Sequence, residues 1–333
     1  MRSPSRAATV LAKAQGGQRP APPAAAADAP LRSVVRLAGS ATGHRTEAGM
    51  VCGTPQYMAP EQARGEADTL DALDVVRGLP IDRLCVPKPV KSLEPLRGMS
   101  LNWLEVYDTQ VSDISPLRGM KTLRDLTLSQ SRKITDLAPL RGIPLELLGL
   151  GLLRIPDLSP LQGMPLKKLS LDYSIATDFT PLEGMPLEEL RMDASPVKDL
   201  GFLRHSTALR RLNLRSCGFV RDLSPLRGCP IERLCLEGTD VRDLTPLRGM
   251  PIKELRLGPW RDKPDLAVLV DLPQLETLEL SVDTDIGKVK LEGLRRHPTL
   301  KNIKCSLTPG APELVRPVAQ FWQEYDAQRK GRP

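Results

Sequence analysis

The sequence predicts an α/β repeat solenoid, in which short parallel strands from successive repeats stack into one sheet. A Pro-Leu-x-Gly signature recurs at intervals of 21 or 23 residues between Pro95 and Pro246, with Phe202 in place of one proline. The composition is 41% hydrophobic but only 3% aromatic, which suits a thin, leucine-filled core better than the core of a globular enzyme. Self-similarity at a period near 21 residues therefore predicts a solenoid.

Each repeat is predicted to contribute one short strand with a buried side and an exposed side. Leu169 and Leu171 alternate with Lys168, Ser170 and Asp172. Alternate residues of a strand point to opposite sides of its sheet. The leucines are therefore expected in the core and the polar residues in solvent.

A tight turn is predicted just before each strand. In Ser159-Pro160-Leu-Gln-Gly163 the serine is expected to cap free amides, the proline to take the first helical position and the glycine to provide a left-handed exit. A turn this short is expected to be 3₁₀ rather than α.

The repeat that joins Leu-x-x-Leu-x-Leu to a turn resembles the leucine-rich repeat. The resemblance implies a leucine-rich repeat solenoid with short parallel strands on its concave face and 3₁₀ or irregular turns on its convex face. Asparagine commonly follows the strand in this family, three residues past its last apolar position, and here small polar groups are implied to bond the turn backbone instead. These residues are Thr109, Ser174, Ser195, Cys217 and Thr239. About eleven repeats of about 21 residues are expected. Their strand signatures start at Ile81, Leu101, Leu123, Leu145, Leu166, Leu187, Leu209, Ile231, Ile252, Leu275 and Leu300.

Four segments are predicted along the chain. Residues 1–48 are rich in alanine, proline and arginine and are interpreted as a disordered tail, because they cannot build a core. Residues 49–66 hold a separate motif, 67–307 form the repeat domain, and 308–333 form a C-terminal capping helix and tail.

The net charge is +7, but seven basic and two acidic residues lie within the first fifty positions. Nucleic acid is therefore not an expected partner.

Residues 49–66 contain Gly-Thr-Pro-Gln-Tyr-Met-Ala-Pro-Glu-Gln, which resembles the end of the activation segment of bacterial eukaryotic-like serine/threonine protein kinases. The motif residues are Gly53, Thr54, Pro55, Tyr57, Pro60 and Glu61. The resemblance implies that Thr54 would contact a catalytic aspartate and that Glu61 would pair with an arginine. A kinase also needs a phosphate loop, a strand lysine, a catalytic-loop aspartate and a metal-binding Asp-Phe-Gly, none of which precedes this motif.

We therefore interpret the motif as a remnant from a kinase-linked repeat protein. The alternative is a truncated or split kinase whose catalytic lobe is missing from this chain. No enzyme activity and no binding of Mg-ATP are expected.

Helices are predicted at both ends of the repeats. Residues 69–78 have a threonine suited to capping and apolar spacing that suits a short capping helix. Near the C-terminus, Val318, Phe321, Trp322 and Tyr325 fall at i, i+3, i+4 and i+7. A helix that buries this face against the last strand is favoured over one that docks on a partner.

No catalytic, metal or cofactor site is predicted. Recurring aspartates from Asp113 to Asp243 could form a calcium column, but they precede turns, and a role in stabilising those turns is more economical. The six cysteines are interpreted as reduced packing residues rather than as disulfides or metal ligands. No signal peptide or apolar run of 18 residues is present, so a cytoplasmic protein without membrane contact is expected. The protein is also expected to be a monomer.

The predicted site is the strand face, defined as the outward side chains of the strands, which would line the concave side. Arginine and aromatic side chains dominate interface energies. A protein or peptide partner is therefore expected here, although outward positions of any solenoid must be polar for solubility. Register predicts a column of Arg191, Asn213, Cys235 and Arg256 within a basic strip suited to an acidic peptide. The candidate residues are Trp103, Tyr107, Asp172, Arg191, Asp193, Arg211, Arg215, Arg233 and Arg256.

Overall fold

The computed structural model describes residues 34–36, 73–86, 88–258, 265–280, 291–305 and 314–330. These residues form one thirteen-stranded sheet in which the strands follow chain order. The first twelve strands pair in parallel, and the last pairs antiparallel to its neighbour. The strands are β1 (Val34–Arg36), β2 (Arg83–Val86), β3 (Trp103–Val106), β4 (Asp125–Thr127), β5 (Leu147–Gly149), β6 (Lys168–Ser170), β7 (Glu189–Arg191), β8 (Arg211–Asn213), β9 (Arg233–Cys235), β10 (Glu254–Leu257), β11 (Thr277–Leu280), β12 (Asn302–Cys305) and β13 (Leu314–Pro317).

The eleven predicted strands are β2 to β12. Their central leucines pair in register, as Leu190 does with Leu212 and Leu212 with Leu234. Each of these leucines is buried. Because side chains alternate along a strand, one register places every inward leucine in the core and every flanking residue on the strand face. The predicted strand pattern is confirmed.

A 3₁₀ turn precedes each strand from β2 to β12. The turns are Asp74–Val76, Glu94–Leu96, Ser115–Leu117, Ala138–Leu140, Ser159–Leu161, Thr180–Leu182, Gly201–Leu203, Ser224–Leu226, Thr245–Leu247, Leu266–Asp271 and Glu292–Arg296. Proline stands in the first part of most of them and the following leucine is buried, so each turn closes the core opposite the sheet. Gly163 leaves its turn at φ +73°, as predicted.

The turn caps differ from the prediction. Ser159 does not cap its turn, because the turn begins at Ser159 itself. Asp157 takes this role: one carboxylate oxygen accepts the Ser159 N–H at 2.8 Å and the other accepts the Ser159 hydroxyl at 2.9 Å. Equivalent aspartates accept the same N–H in six other repeats, so their predicted role in stabilising turns is confirmed.

Polar residues that follow the strands bond neighbouring backbone, as the family resemblance implies. The Ser195 hydroxyl donates to the Leu171 carbonyl at 2.8 Å, and Cys217 Sγ lies 2.9 Å from the Met192 carbonyl oxygen. Burial raises the pKa of the Cys217 thiol to about 11. The thiol therefore stays protonated and serves as a buried donor that links one repeat to the next.

The ends of the array depart from the sequence expectations. Val34–Arg36, within the segment predicted to be disordered, pairs in parallel with β2. Of the helix predicted over 69–78, the first four residues lie outside the described residues, and the rest contains the 3₁₀ turn Asp74–Val76. The kinase-like motif at 49–66 also lies outside the described residues.

The C-terminal end is closed by the predicted helix, α1 (Val318–Lys330). Phe321 is completely buried, and its ring centroid lies 4.9 Å from Trp322 and 5.7 Å from Tyr325. The antiparallel β13 that leads into α1 was not predicted. Its Arg316 is buried and donates to the Cys305 carbonyl at 2.8 Å and to Glu324 at 2.7 Å. The helix and β13 together cover the last leucines of the core.

Candidate protein-binding face

The strand face consists of three columns of side chains that run across the sheet. The first column contains the residue just before each central leucine, and the second contains the residue just after it. The third column contains the residue two positions after the second-column residue, as Asp193 follows Arg191. Register confirms the predicted column of Arg191, Asn213, Cys235 and Arg256 within the second column. Cys235 differs from its neighbours there, because it is buried.

All five candidate arginines form ion pairs with a carboxylate of an adjacent strand. The pairs are Arg191–Asp172 (3.3 Å), Arg211–Glu189 (3.2 Å), Arg215–Glu237 (3.3 Å), Arg233–Glu254 (3.1 Å) and Arg256–Glu279 (3.2 Å). The five arginine side chains are each about half exposed. Exposed pairs of this kind contribute roughly 0–1 kcal/mol each, so they orient the guanidinium groups more than they stabilise the fold.

The prediction of a basic strip on the strand face is wrong. On the three columns from β6 to β11 the basic side chains are Lys168, Arg191, Arg211, Arg215, Arg233 and Arg256. The acidic side chains on the same columns are Asp172, Asp193, Glu189, Glu237, Glu254 and Glu279. The two sets are equal in number, and each candidate arginine pairs with a carboxylate of an adjacent repeat. The prediction failed because it followed the arginines along the sheet and did not pair them with the carboxylates of adjacent repeats.

The charged end of the face also contains an open groove of about 470 Å³. It runs along the entrances of the strands from β6 to β11. Its lining residues are Lys168, Glu188, Glu189, Arg210, Arg211, Glu232, Arg233, Lys253, Glu254, Glu276 and Thr277. Glu232 accepts from Lys253 at 2.8 Å and from Arg210 at 2.9 Å. The hydrogen bond from Lys253, and to a smaller extent that from Arg210, holds the pKa of Glu232 below its usual range.

The two aromatic candidates lie apart from the arginines. Trp103 is on β3, four strands from Arg191, which is about 19 Å at the usual strand spacing. The Arg83 guanidinium lies 5.1 Å from the centre of the Trp103 ring, and the Tyr107 hydroxyl accepts from Gln130. The structure therefore does not bring the predicted site residues together in one cluster.

Between these groups lies a stretch of small residues in the second column that the sequence analysis missed. The outward residues of β4 to β6 are small there, with Thr127, Gly149 and Ser170 side by side in the second column. Gly149 is buried, and a Cβ at this position would lie 3.3 Å from Ser129 Oγ and from Thr127 Cγ2. The available signal was Gly149-Leu-Gly151, where glycine replaces the polar residues expected at two successive outward positions.

Within the described ranges, no group of three or more His, Cys, Asp or Glu side chains could hold a metal ion. No helix in this part of the chain is both long and apolar enough to cross a membrane.

No protein-family model matches the sequence, and neither does any curated protein. Among solved structures, an internalin (InlF) from Listeria monocytogenes has a TM-score of 0.58 and 24% sequence identity, over 73% of this chain and 74% of that chain. The fold is a leucine-rich repeat solenoid. An internalin C2 from the same organism has a TM-score of 0.41 and 24% identity over 53% of this chain and 69% of that one. The functional domain of InlJ from L. monocytogenes has a TM-score of 0.43 and 16% identity over 65% of this chain and 53% of that one.

Proposed function

We propose that this leucine-rich repeat solenoid is a non-catalytic scaffold that binds a protein or peptide partner on its strand face. The observation that carries the proposal is the set of five arginines held in fixed cross-strand pairs on one hydrogen-bonded sheet. Arginine is enriched among the residues that dominate interface energies. Groups that are already oriented lose less conformational freedom when a partner binds.

The charge pattern defines the kind of partner. Because basic and acidic side chains are equal in number on the strand face, we expect a partner surface that carries both charges rather than an acidic peptide. Each arginine is about half exposed, so a partner carboxylate can reach it without unfolding any repeat.

The test is a charge reversal on this face. Arg191→Glu, Arg215→Glu and Arg256→Glu combined should reduce capture of specific partners from native lysate at least tenfold, since like charges would then face each other in the complex. The matched control reverses three exposed arginines on the turn side, Arg118, Arg141 and Arg227, and should leave capture unchanged. Circular dichroism establishes that both variants fold. Loss of capture only in the turn-side variant would place the binding surface on the opposite side.

A further inference from the structure

The edge where the strands end has a regular backbone that fixes its side chains. One residue in each repeat from β3 to β9 adopts positive φ there, and this strand-exit edge includes Asp108, Gln130, Leu152, Tyr173, Ala194 and Ser216. The N–H of each donates to a carbonyl of the next repeat, as Tyr173 does to Asp193 at 2.6 Å. Tyr173 and Asp193 are therefore held next to each other in the fold.

An apolar patch lies on this edge in the middle of the array. Tyr173 is 57% exposed, Ile175 43% and Phe219 58%. The repeat between them contributes Ala194, which has the short side chain of alanine at the position of Tyr173. Lys198 Nζ lies 5.4 Å from the centre of the Phe219 ring. Isolated exposed apolar residues are ordinary, but three large ones within three successive repeats on one edge suit an interaction surface.

Beside the patch, the Asp193 carboxylate forms no ion pair with any of the described residues. Asp193 Oδ1 is buried and has no hydrogen-bond partner within the described part of the chain, whereas the residue as a whole is partly exposed, so a partner cation can reach its other oxygen. The nearest guanidinium groups pair elsewhere, Arg191 with Asp172 and Arg215 with Glu237. Burial, and next the Asp172 charge, raise the pKa of Asp193. The carboxylates of Asp172, Asp193 and Glu237 thus share the guanidinium groups of Arg191 and Arg215. These five side chains carry one more negative charge than positive charges.

We propose that the strand-exit edge binds a peptide segment whose arginine or lysine pairs with Asp193 while an adjacent apolar side chain packs on Tyr173, Ile175 and Phe219. The basic side chain can lay its methylene stem along the Tyr173 ring and direct its charge to the carboxylate. The inference rests on the proposed function, because it extends the partner from the strand face onto this edge. It assigns the partner a basic and apolar character at this point, which is the complement of the local charge.

The experiment selects ligands for the full chain from a phage-displayed library of random twelve-residue peptides. Enriched peptides should carry arginine or lysine within a few positions of an aromatic or aliphatic residue. The Kd of a synthetic enriched peptide should rise at least tenfold in Asp193→Asn, which preserves side-chain shape, and in Tyr173→Ser. Glu183→Gln, an exposed change on the turn side, should leave the Kd unchanged.

Each outcome decides the proposal. Enriched peptides that bind Asp193→Asn as tightly as wild type, but are lost when Arg191, Arg215 and Arg256 are reversed, would overturn this edge and leave the strand-face proposal standing. Selection of acidic peptides alone would also overturn the edge. Enrichment of no peptide would count against both proposals. If Tyr173→Ser does not fold by circular dichroism, the Asp193→Asn measurement decides.

Discussion

At the residue scale, the aspartates before the turns act as caps and titrate accordingly. The hydroxyl and the backbone N–H of Ser224 hold the pKa of Asp222 below its usual range. Hydrogen bonds of the same two kinds lower the pKa of Asp113, Asp178 and Asp243. A carboxylate whose pKa is lowered by folding stabilises the native state while it is ionised. These four groups therefore link the turns to pH.

The direction of these pKa shifts predicts how the stability of the protein depends on pH. The contribution of these aspartates is fully present above the unfolded pKa of about 4 and is lost as pH falls through their lower folded pKa values. Changing Asp113, Asp178, Asp222 and Asp243 together to Asn keeps an oxygen acceptor but removes the titration. The urea midpoint of this variant should fall less between pH 6 and pH 3 than that of wild type. Equal losses in the two proteins would mean that other carboxylates control acid unfolding.

At the scale of one element, glycines with the same backbone conformation are not equivalent. Gly163, at the exit of a turn, has φ +73° and no atom within 4 Å of an added Cβ. Gly238, at the strand-exit edge, has φ +71°, but its Cβ would lie 3.2 Å from Ser216 Cα. The first position restricts only backbone conformation, whereas the second also restricts the approach of the neighbouring repeat.

Two matched substitutions separate these effects. Gly163→Ala should lower the free energy of unfolding by about 1 kcal/mol, because an L-residue is disfavoured in the left-handed region. Gly238→Ala should lower it by about 2–3 kcal/mol, since the backbone contact must also shift. Urea denaturation of both variants measures the difference. Equal losses would show that the neighbouring repeat yields without cost.

The C-terminal helix is the other element with a clear energetic role. Phe321→Ala should lower the free energy of unfolding by about 3–5 kcal/mol, because it leaves a cavity where a fully buried ring contacts Trp322 and Tyr325. The control is Gln320→Ala on the exposed side, which should change stability by less than about 0.5 kcal/mol. Urea unfolding followed by tryptophan fluorescence measures both. A Phe321→Ala variant as stable as the control would mean that α1 does not close the core.

The elements that sequence analysis predicted are those with a local pattern. Strands β2 to β12 follow from alternating leucines, and α1 follows from four apolar residues at helical spacing. Strands β1 and β13 carry no repeat signature. Strand β1 pairs with β2, which lies far along the chain, and β13 pairs with the edge left open by β12 just before it. The serine was predicted as the cap because the turn was expected to start one residue later than it does.

At the scale of the whole molecule, the same distinction holds for the candidate site. The strand face and its central column could be predicted, because register follows from the period. Its ion pairs could not, because each joins residues roughly one repeat apart whose side-chain directions are set only in the folded sheet. Asp193 illustrates the limit: its position was predicted, but its missing cation depends on how Arg191 and Arg215 are shared.

The order of the strands also determines how the protein responds to tension. Each strand pairs only with its neighbours in chain order, so no strand is locked between distant parts of the sequence. A pull on the two ends can therefore peel repeats from the ends of the array one at a time. Each released repeat of about 21 residues adds roughly 70 Å of extended chain. The end-to-end length of the solenoid would therefore increase in nearly equal steps, and its maximum extension would increase with the number of repeats.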